Sequence, residues 1–209
     1  MTAILNQAPE SSVADRILEI AKEIIDSVGE AGLRIDEVMD RADVKAPVIY
    51  RHFGSREGLV QSAHLARYAD SFRSGSTAFG AAARAARSQS EFRLAVDALI
   101  DAAFDETHIE ARLVRLEVLA MGTARPELAS AIRTFQDENR QPLVRGLKFA
   151  QQLGWVRSDL NMHEFIEWAT STTLGLAAVS QFRTEPETAQ QWVRYQRTAI
   201  HTALFGDGI

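Results

Sequence analysis

The residues best equipped for chemistry lie between positions 45 and 56, where Lys45, Tyr50, Arg51, His52 and Arg56 surround the apolar Val48, Ile49 and Phe53. Cations, a phenol and an imidazole on one short stretch supply phosphate donors, a base-edge donor and flat apolar surface together, which is what reading duplex DNA requires. Ile49 and Phe53 are one helical turn apart. A helix over 46–53 that anchors both on a neighbour turns Pro47, Val48, Tyr50, Arg51 and part of His52 outward. Other chemistries lack their residues. The chain has no Cys, which removes thiolate nucleophiles, disulfides and Cys-ligated metals. His163, Glu164 and Glu167 share a helical turn but do not have H-E-x-x-H spacing, and no glycine-rich phosphate loop or nucleophile elbow follows a strand. No catalytic residue, metal or cofactor is expected. His64, His108 and His201 read as core-edge or solvent-edge side chains.

The elements that must position this face can be read from periodicity. Ile17, Ala21, Ile24 and Val28 recur at spacings of four, three and four, with Leu18, Ile20 and Ile25 widening the stripe, which predicts an amphipathic helix. Ser12 can cap it, Asp15 suits its positive end, and Gly29 to Gly32 stop it. Two short helices follow, 35–42 and 46–53, separated by Asp43, Val44 and Lys45. A fourth begins at Ser55 and runs towards Phe72. Two short helices joined by a tight turn and braced by a longer one match the helix-turn-helix arrangement, although any small three-helix subdomain shares that outline. The residue types on 46–53 favour the DNA-binding reading.

The remainder also reads as helix, giving an all-α chain of about nine helices. Residues Ser74 to Ser90, with their Gly and Ser, read as a helix end and a mobile connection. Further helical stripes run through Phe92–Ala103, Leu113–Ala120, Leu128–Leu147 and Trp192–Leu204, and Pro142 is expected to kink or break the third of these. The helix over 162–182 is apolar on most of its circumference, so it is covered on more than one side, at a bundle centre or at a subunit contact. The small residues Ala169, Gly175 and Ala177 favour a dimer contact. Phe72, Phe104, Met121, Phe135, Phe149 and Trp155 could line a ligand cavity, and core packing explains them equally well. Arg112, Arg115 and Glu117 suit a solvated face; alternatively Arg115 or Glu117 reads a polar ligand.

Composition bounds these readings. The 209 residues are 46% apolar and carry 23 Lys+Arg against 28 Asp+Glu. Gly and Pro together are about 8%, below the roughly 12% of average usage, which suits long elements and few turns. Nowhere do about 18 apolar residues follow one another, and the start MTAILNQAPESSVADR has no basic and apolar leader pattern. A cytoplasmic protein without membrane contact is expected.

The run Asp43-Val44-Lys45-Ala46-Pro47-Val48-Ile49-Tyr50-Arg51-His52-Phe53-Gly54-Ser55-Arg56-Glu57-Gly58-Leu59 resembles the signature of tetracycline-repressor-type (TetR family) regulators. Its core is Leu/Ile-Tyr-x-His-Phe, followed by x-Ser-Lys/Arg-Glu-x-Leu. The resemblance is strong over about residues 12–60, and Gly154-Trp155-Val156-Arg157-Ser158-Asp159-Leu160 fits it weakly. It implies a helix-turn-helix DNA-binding domain over 1–60 (core 12–57) and a helical ligand-binding and dimerisation domain over 61–209. The implied protein is a homodimeric repressor released from a palindromic, double-stranded operator by a small-molecule effector. By position, Lys45, Ala46, Pro47, Val48, Tyr50, Arg51 and His52 would meet the operator, with Tyr50 and His52 on phosphates and Lys45, Val48 and Arg51 nearer base edges. Arg56 matches a phosphate-contacting residue. The dimer contact would use Phe165, Trp168, Ala169, Thr172, Gly175, Leu176 and Val179, with Trp192 and Ile200 of the last helix.

The chain departs from that pattern in places. Arg34 or Ile35 and Lys45 stand where Ser or Thr usually caps the two short helices, and a lost cap costs on the order of 1 kcal/mol, partly offset by Pro47. Asp43 replaces the usual turn glycine and tolerates a left-handed backbone better than most residues. Residues 1–60 hold 7 Lys+Arg against 11 Asp+Glu, a net charge of −4, so weak non-specific DNA binding and a shallow salt dependence are expected. That acidity also suits a helical carrier or enzyme that has lost DNA binding; a purely structural helical interaction module is a third reading.

Overall fold

The computed structural model describes residues 12–72, 75–182 and 187–206; the leader reading of the first eleven residues and Ser74 lie outside them. Among the described residues the regular structure is entirely helical: α1 (Val13–Val28), α2 (Ile35–Ala42), α3 (Ala46–Phe53), α4 (Arg56–Asp70), α5 (Gly75–Ala85), α6 (Gln89–Phe104), α7 (Ile109–Gly122), α8 (Pro126–Gln152), α9 (Met162–Ser180) and α10 (Glu187–Phe205), with 3-10 turns at Glu30–Gly32 and Glu106–His108. The chain divides into two compact units, Met1–Ala69 and Asp70–Ile209. Residue 60, the boundary read from sequence, falls inside α4.

In the first unit, α1 opens with a reciprocal cap. The Asp15 N–H donates to Ser12 Oγ at 3.1 Å and the Ser12 N–H donates to Asp15 Oδ2 at 3.0 Å. Ile17, Ile20, Ala21, Ile24 and Ile25 all face inward; full burial stabilises by about 1.5–3 kcal/mol per isoleucine. Gly29, at φ 76°, ends the helix. Asp43 takes the left-handed conformation, φ 50° and ψ 54°, at the end of α2, so the turn survives without glycine as expected. The Arg16 Nε–H donates to the Ala42 carbonyl at 3.2 Å and ties that turn to α1. Neither Arg34 nor Lys45 makes a side-chain cap. The corner from α3 to α4 is tight: a Cβ on Gly58 would stand 2.0 Å from the Phe53 carbonyl oxygen, while the Gly58 N–H donates to Ser55 Oγ at 2.9 Å.

In the second unit, the expected mobile connection over 74–90 is corrected: residues 75–85 form α5. Phe79 and Ala83 are buried. Gly80 serves close approach between helices, not a turn. A Cβ on Gly80 would sit 2.9 Å from the Pro142 carbonyl oxygen, and one on Gly146 would sit 3.0 Å from Ala83 Cβ and 3.1 Å from the Phe79 ring. The alanines around Gly80 favour helix over turn. α8 continues through Pro142 to Gln152, so the proline does not break it. Ser88 caps α6, accepting from the Glu91 N–H at 3.2 Å, but Glu91 returns to the Arg87 N–H at 2.8 Å rather than closing on the cap. The core of this unit gathers Phe92, Val96, Ile100 and Phe104 of α6, Val144 and Leu147 of α8, Phe165, Ile166 and Leu176 of α9, and Ile200 and Leu204 of α10.

Candidate nucleic-acid interface

The short helix α3 owes its stability to what it buries, since eight residues are marginal alone. Ile49 is 0% exposed within the cluster formed with Ile17, Ile24, Val38 and Leu59, and Phe53 packs half-buried against it. That anchoring leaves Lys45, Pro47, Tyr50, Arg51 and His52 exposed, with Ala46 and Val48 half-buried beside them. Tyr50 is 44% exposed. Arg51 Nη2 and His52 Nε2 are 3.5 Å apart, so the two head groups lie together on the free side. Among the described residues neither Lys45 nor Arg51 meets a carboxylate.

Most other cations of this unit are committed within it. Arg41 pairs with Glu23 and, at 3.6 Å, with Glu37. Lys22 pairs with Glu19 at 2.9 Å and Arg67 with Asp26 at 2.7 Å. Arg34 donates to the Ala31 carbonyl at 2.7 Å. Arg56, placed on phosphate by the resemblance, donates Nε–H to the Leu33 carbonyl at 3.0 Å and Nη2–H to the Glu30 carbonyl at 2.7 Å. Its guanidinium thus braces the segment leading into α2, a role with no signal in the sequence.

The candidate ligand residues separate into groups. Phe72 and Phe135 meet edge to face with ring centroids 5.4 Å apart, and the Arg115 guanidinium lies 4.1 Å over the Phe72 ring while its Nε–H donates to Ser71 Oγ at 3.1 Å. Phe149 and Trp155 form a second aromatic pair at 6.4 Å. Phe104 belongs to the core, Met121 is half-buried, and Glu117 is exposed. Arg112, expected on a solvated face, is instead 3% exposed. It closes the end of α6 by donating to the Ala103 and Asp105 carbonyls, both at 2.9 Å. Burial lowers its pKa, an effect opposed by the nearby Asp105 and Glu106 charges. His163, Glu164 and Glu167 are exposed, and no metal-binding group of His and carboxylates occurs among the described residues.

The candidate dimer residues divide in the same way. Phe165, Leu176 and Ile200 lie in this chain's own core at 8%, 5% and 7% exposure, and Ala169 and Trp192 pack at its edge. Trp168 and Val179 are exposed, Thr172 and Gly175 are half-buried, and a Cβ on Gly175 would meet nothing within 4 Å. Phe182, just past α9, is 88% exposed.

A three-helix unit with a tight turn and an exposed aromatic and basic face on its third helix is the architecture of a helix-turn-helix DNA-binding module. Residues 17–63 match the family model described as bacterial regulatory proteins, tetR family. No curated protein sequence matches the chain. Among solved structures it is similar to a protein from Mesorhizobium loti described as a TetR-family transcriptional regulator, at 14% identity and a TM-score of 0.69, covering 95% of this chain and 100% of that one. A Rhodococcus sp. protein with the same description aligns at 18% identity and a TM-score of 0.63 over 92% and 98% of the two chains. GusR of Salmonella enterica aligns at 19% identity and 0.64 over 96% and 99%. Residues 17–63 are thus similar to the TetR-family amino-terminal module, and the whole chain shares the all-α fold of these solved structures. No described helix is long and apolar enough to cross a membrane.

Proposed function

We propose that the protein is a dimeric, ligand-responsive transcriptional repressor that presents two copies of α3 to successive major grooves of a pseudo-palindromic operator. The observation that carries this reading is the division of α3, with Ile49 held in the core and Tyr50, Arg51 and His52 left outside. Lys45, Val48 and Arg51 read base edges or thymine methyls, each good contact discriminating by about 1–3 kcal/mol. Tyr50 and His52 hold phosphates and set the register. The dimer contact uses the part of the α9 stripe outside this chain's own core, the exposed Trp168 and Val179 with the half-buried Thr172 and Gly175, extended by Phe182. A small-molecule effector held among the helices of the second unit, with Phe72, Arg115 and Phe135 as its first candidates, shifts the spacing of the two readers away from the ~34–36 Å of one DNA turn and so releases the operator. Selection from a random DNA pool tests the reading. It should enrich a short inverted repeat, and failure to enrich any sequence would refute it.

A further inference from the structure

The first unit contains a fully buried imidazole that the proposed DNA contact does not use. His64 of α4 is 0% exposed. Its Nδ1 lies 3.2 Å from Arg67 Nη1 and its Nε2 lies 2.9 Å from Glu30 Oε2. A guanidinium only donates, so Nδ1 accepts, and the ring proton on Nε2 donates to the Glu30 carboxylate. Arg67 in turn donates its Nε–H to Asp26 Oδ1 at 2.7 Å. Two turns before His64 on α4, Arg56 holds the Glu30 and Leu33 carbonyls at 2.7 and 3.0 Å. Three side chains of α4 therefore grip one segment, 26–33, which joins the end of α1 to the start of α2. The apolar contacts of Leu59, Val60 and Ala63 would let α4 slide or roll; directional hydrogen bonds with fixed partners do not.

We infer that His64 is a positioning residue for operator binding: it links the Glu30 turn to Arg67 and Asp26, so that α4 and the α2–α3 pair move as one body. This rests on the DNA-binding reading above. The test compares full-length wild type with His64→Leu, His64→Gln and Glu30→Ala. Leucine fills the space without the hydrogen bonds, and Glu30, being partly exposed, can hydrate when its partner is lost. His64→Leu and Glu30→Ala should each weaken binding to the selected operator by about tenfold with the dimer retained, and should speed amide hydrogen exchange over 30–38; both lower the melting temperature, because each leaves a buried donor without its acceptor, so binding is compared at a temperature where every variant is folded. His64→Gln, whose amide can still donate towards Glu30, should recover most of the affinity. Operator binding by His64→Leu equal to wild type, or unchanged exchange over 30–38, overturns the inference; the exchange result does so whatever DNA is used. A wild-type protein that selects no DNA refutes the proposed function instead, leaving the exchange measurement to decide whether His64 couples the helices.

Discussion

The internal pairing of the cations sets how operator affinity should respond to salt. Each cation brought to phosphate releases condensed counterions, and log K falls with log salt at about −0.9 per neutralised phosphate. Lys45 and Arg51 are the cations of the recognition face that meet no carboxylate among the described residues, whereas Arg41 is held by Glu23 and Glu37. Even if both also neutralise a phosphate from within the groove, two per protomer make about four per dimer and a slope no steeper than about −4; the remaining donors of Arg56 bring that bound to about −5. Raising salt from about 50 to about 200 mM should then weaken binding by no more than about a thousandfold. Fluorescence anisotropy of a labelled operator across that range gives the slope directly. A slope of about −10 would mean that many more phosphates are neutralised, and the assignment of the ion pairs as closed in the DNA-bound state would be wrong.

Three further outcomes follow from particular contacts. Gly58→Ala forces the α3–α4 corner apart, because its new methyl would lie 2.0 Å from the Phe53 carbonyl oxygen; circular dichroism melts should show a drop of several degrees, and operator retardation should be lost. Trp168→Glu combined with Val179→Glu places charges on the exposed α9 stripe and should yield a folded monomer by light scattering; an unchanged dimer would move the contact elsewhere. The Asp105 carboxylate accepts the Thr107 N–H at 2.9 Å and the Thr107 hydroxyl at 2.8 Å, which hold its pKa below the ordinary 3.8. Its stabilisation is present above that ordinary value and is lost as pH falls through the lower folded value, so the Asp105 carboxyl resonance, identified by its loss in Asp105→Asn, should titrate below 3.8 in the native protein and return to that value in the urea-unfolded chain.

Where a local rule acted alone, the sequence was legible. The cap at Ser12, the period through Ile17, Ala21 and Ile24, and the glycine stop at Gly29 each obey a short-range requirement, and α1 follows. Asp43 could be read because so few residues accept a left-handed turn. The Gly and Ser of 74–90 read as a connection, whereas Gly80 serves to admit α8 at close range, a fact that only the tertiary neighbour supplies. Arg56 and Arg112 illustrate a second limit. In a linear chain Arg56 reads as a phosphate contact and Arg112 as a solvated cation, yet both bind main-chain carbonyls of segments that no periodicity places beside them. The α9 stripe was visible as apolar on most sides, but its division into inward Phe165 and Leu176 and outward Trp168 and Val179 depends on the position of α7, α8 and α10.

The most direct measurement is the binding of a selected operator by a protein carrying both Tyr50→Ala and Arg51→Ala. Both side chains are exposed, so the fold and oligomeric state should persist, while affinity should fall by about a hundredfold or more. Retention of wild-type affinity would show that the outward face of α3 does not meet DNA.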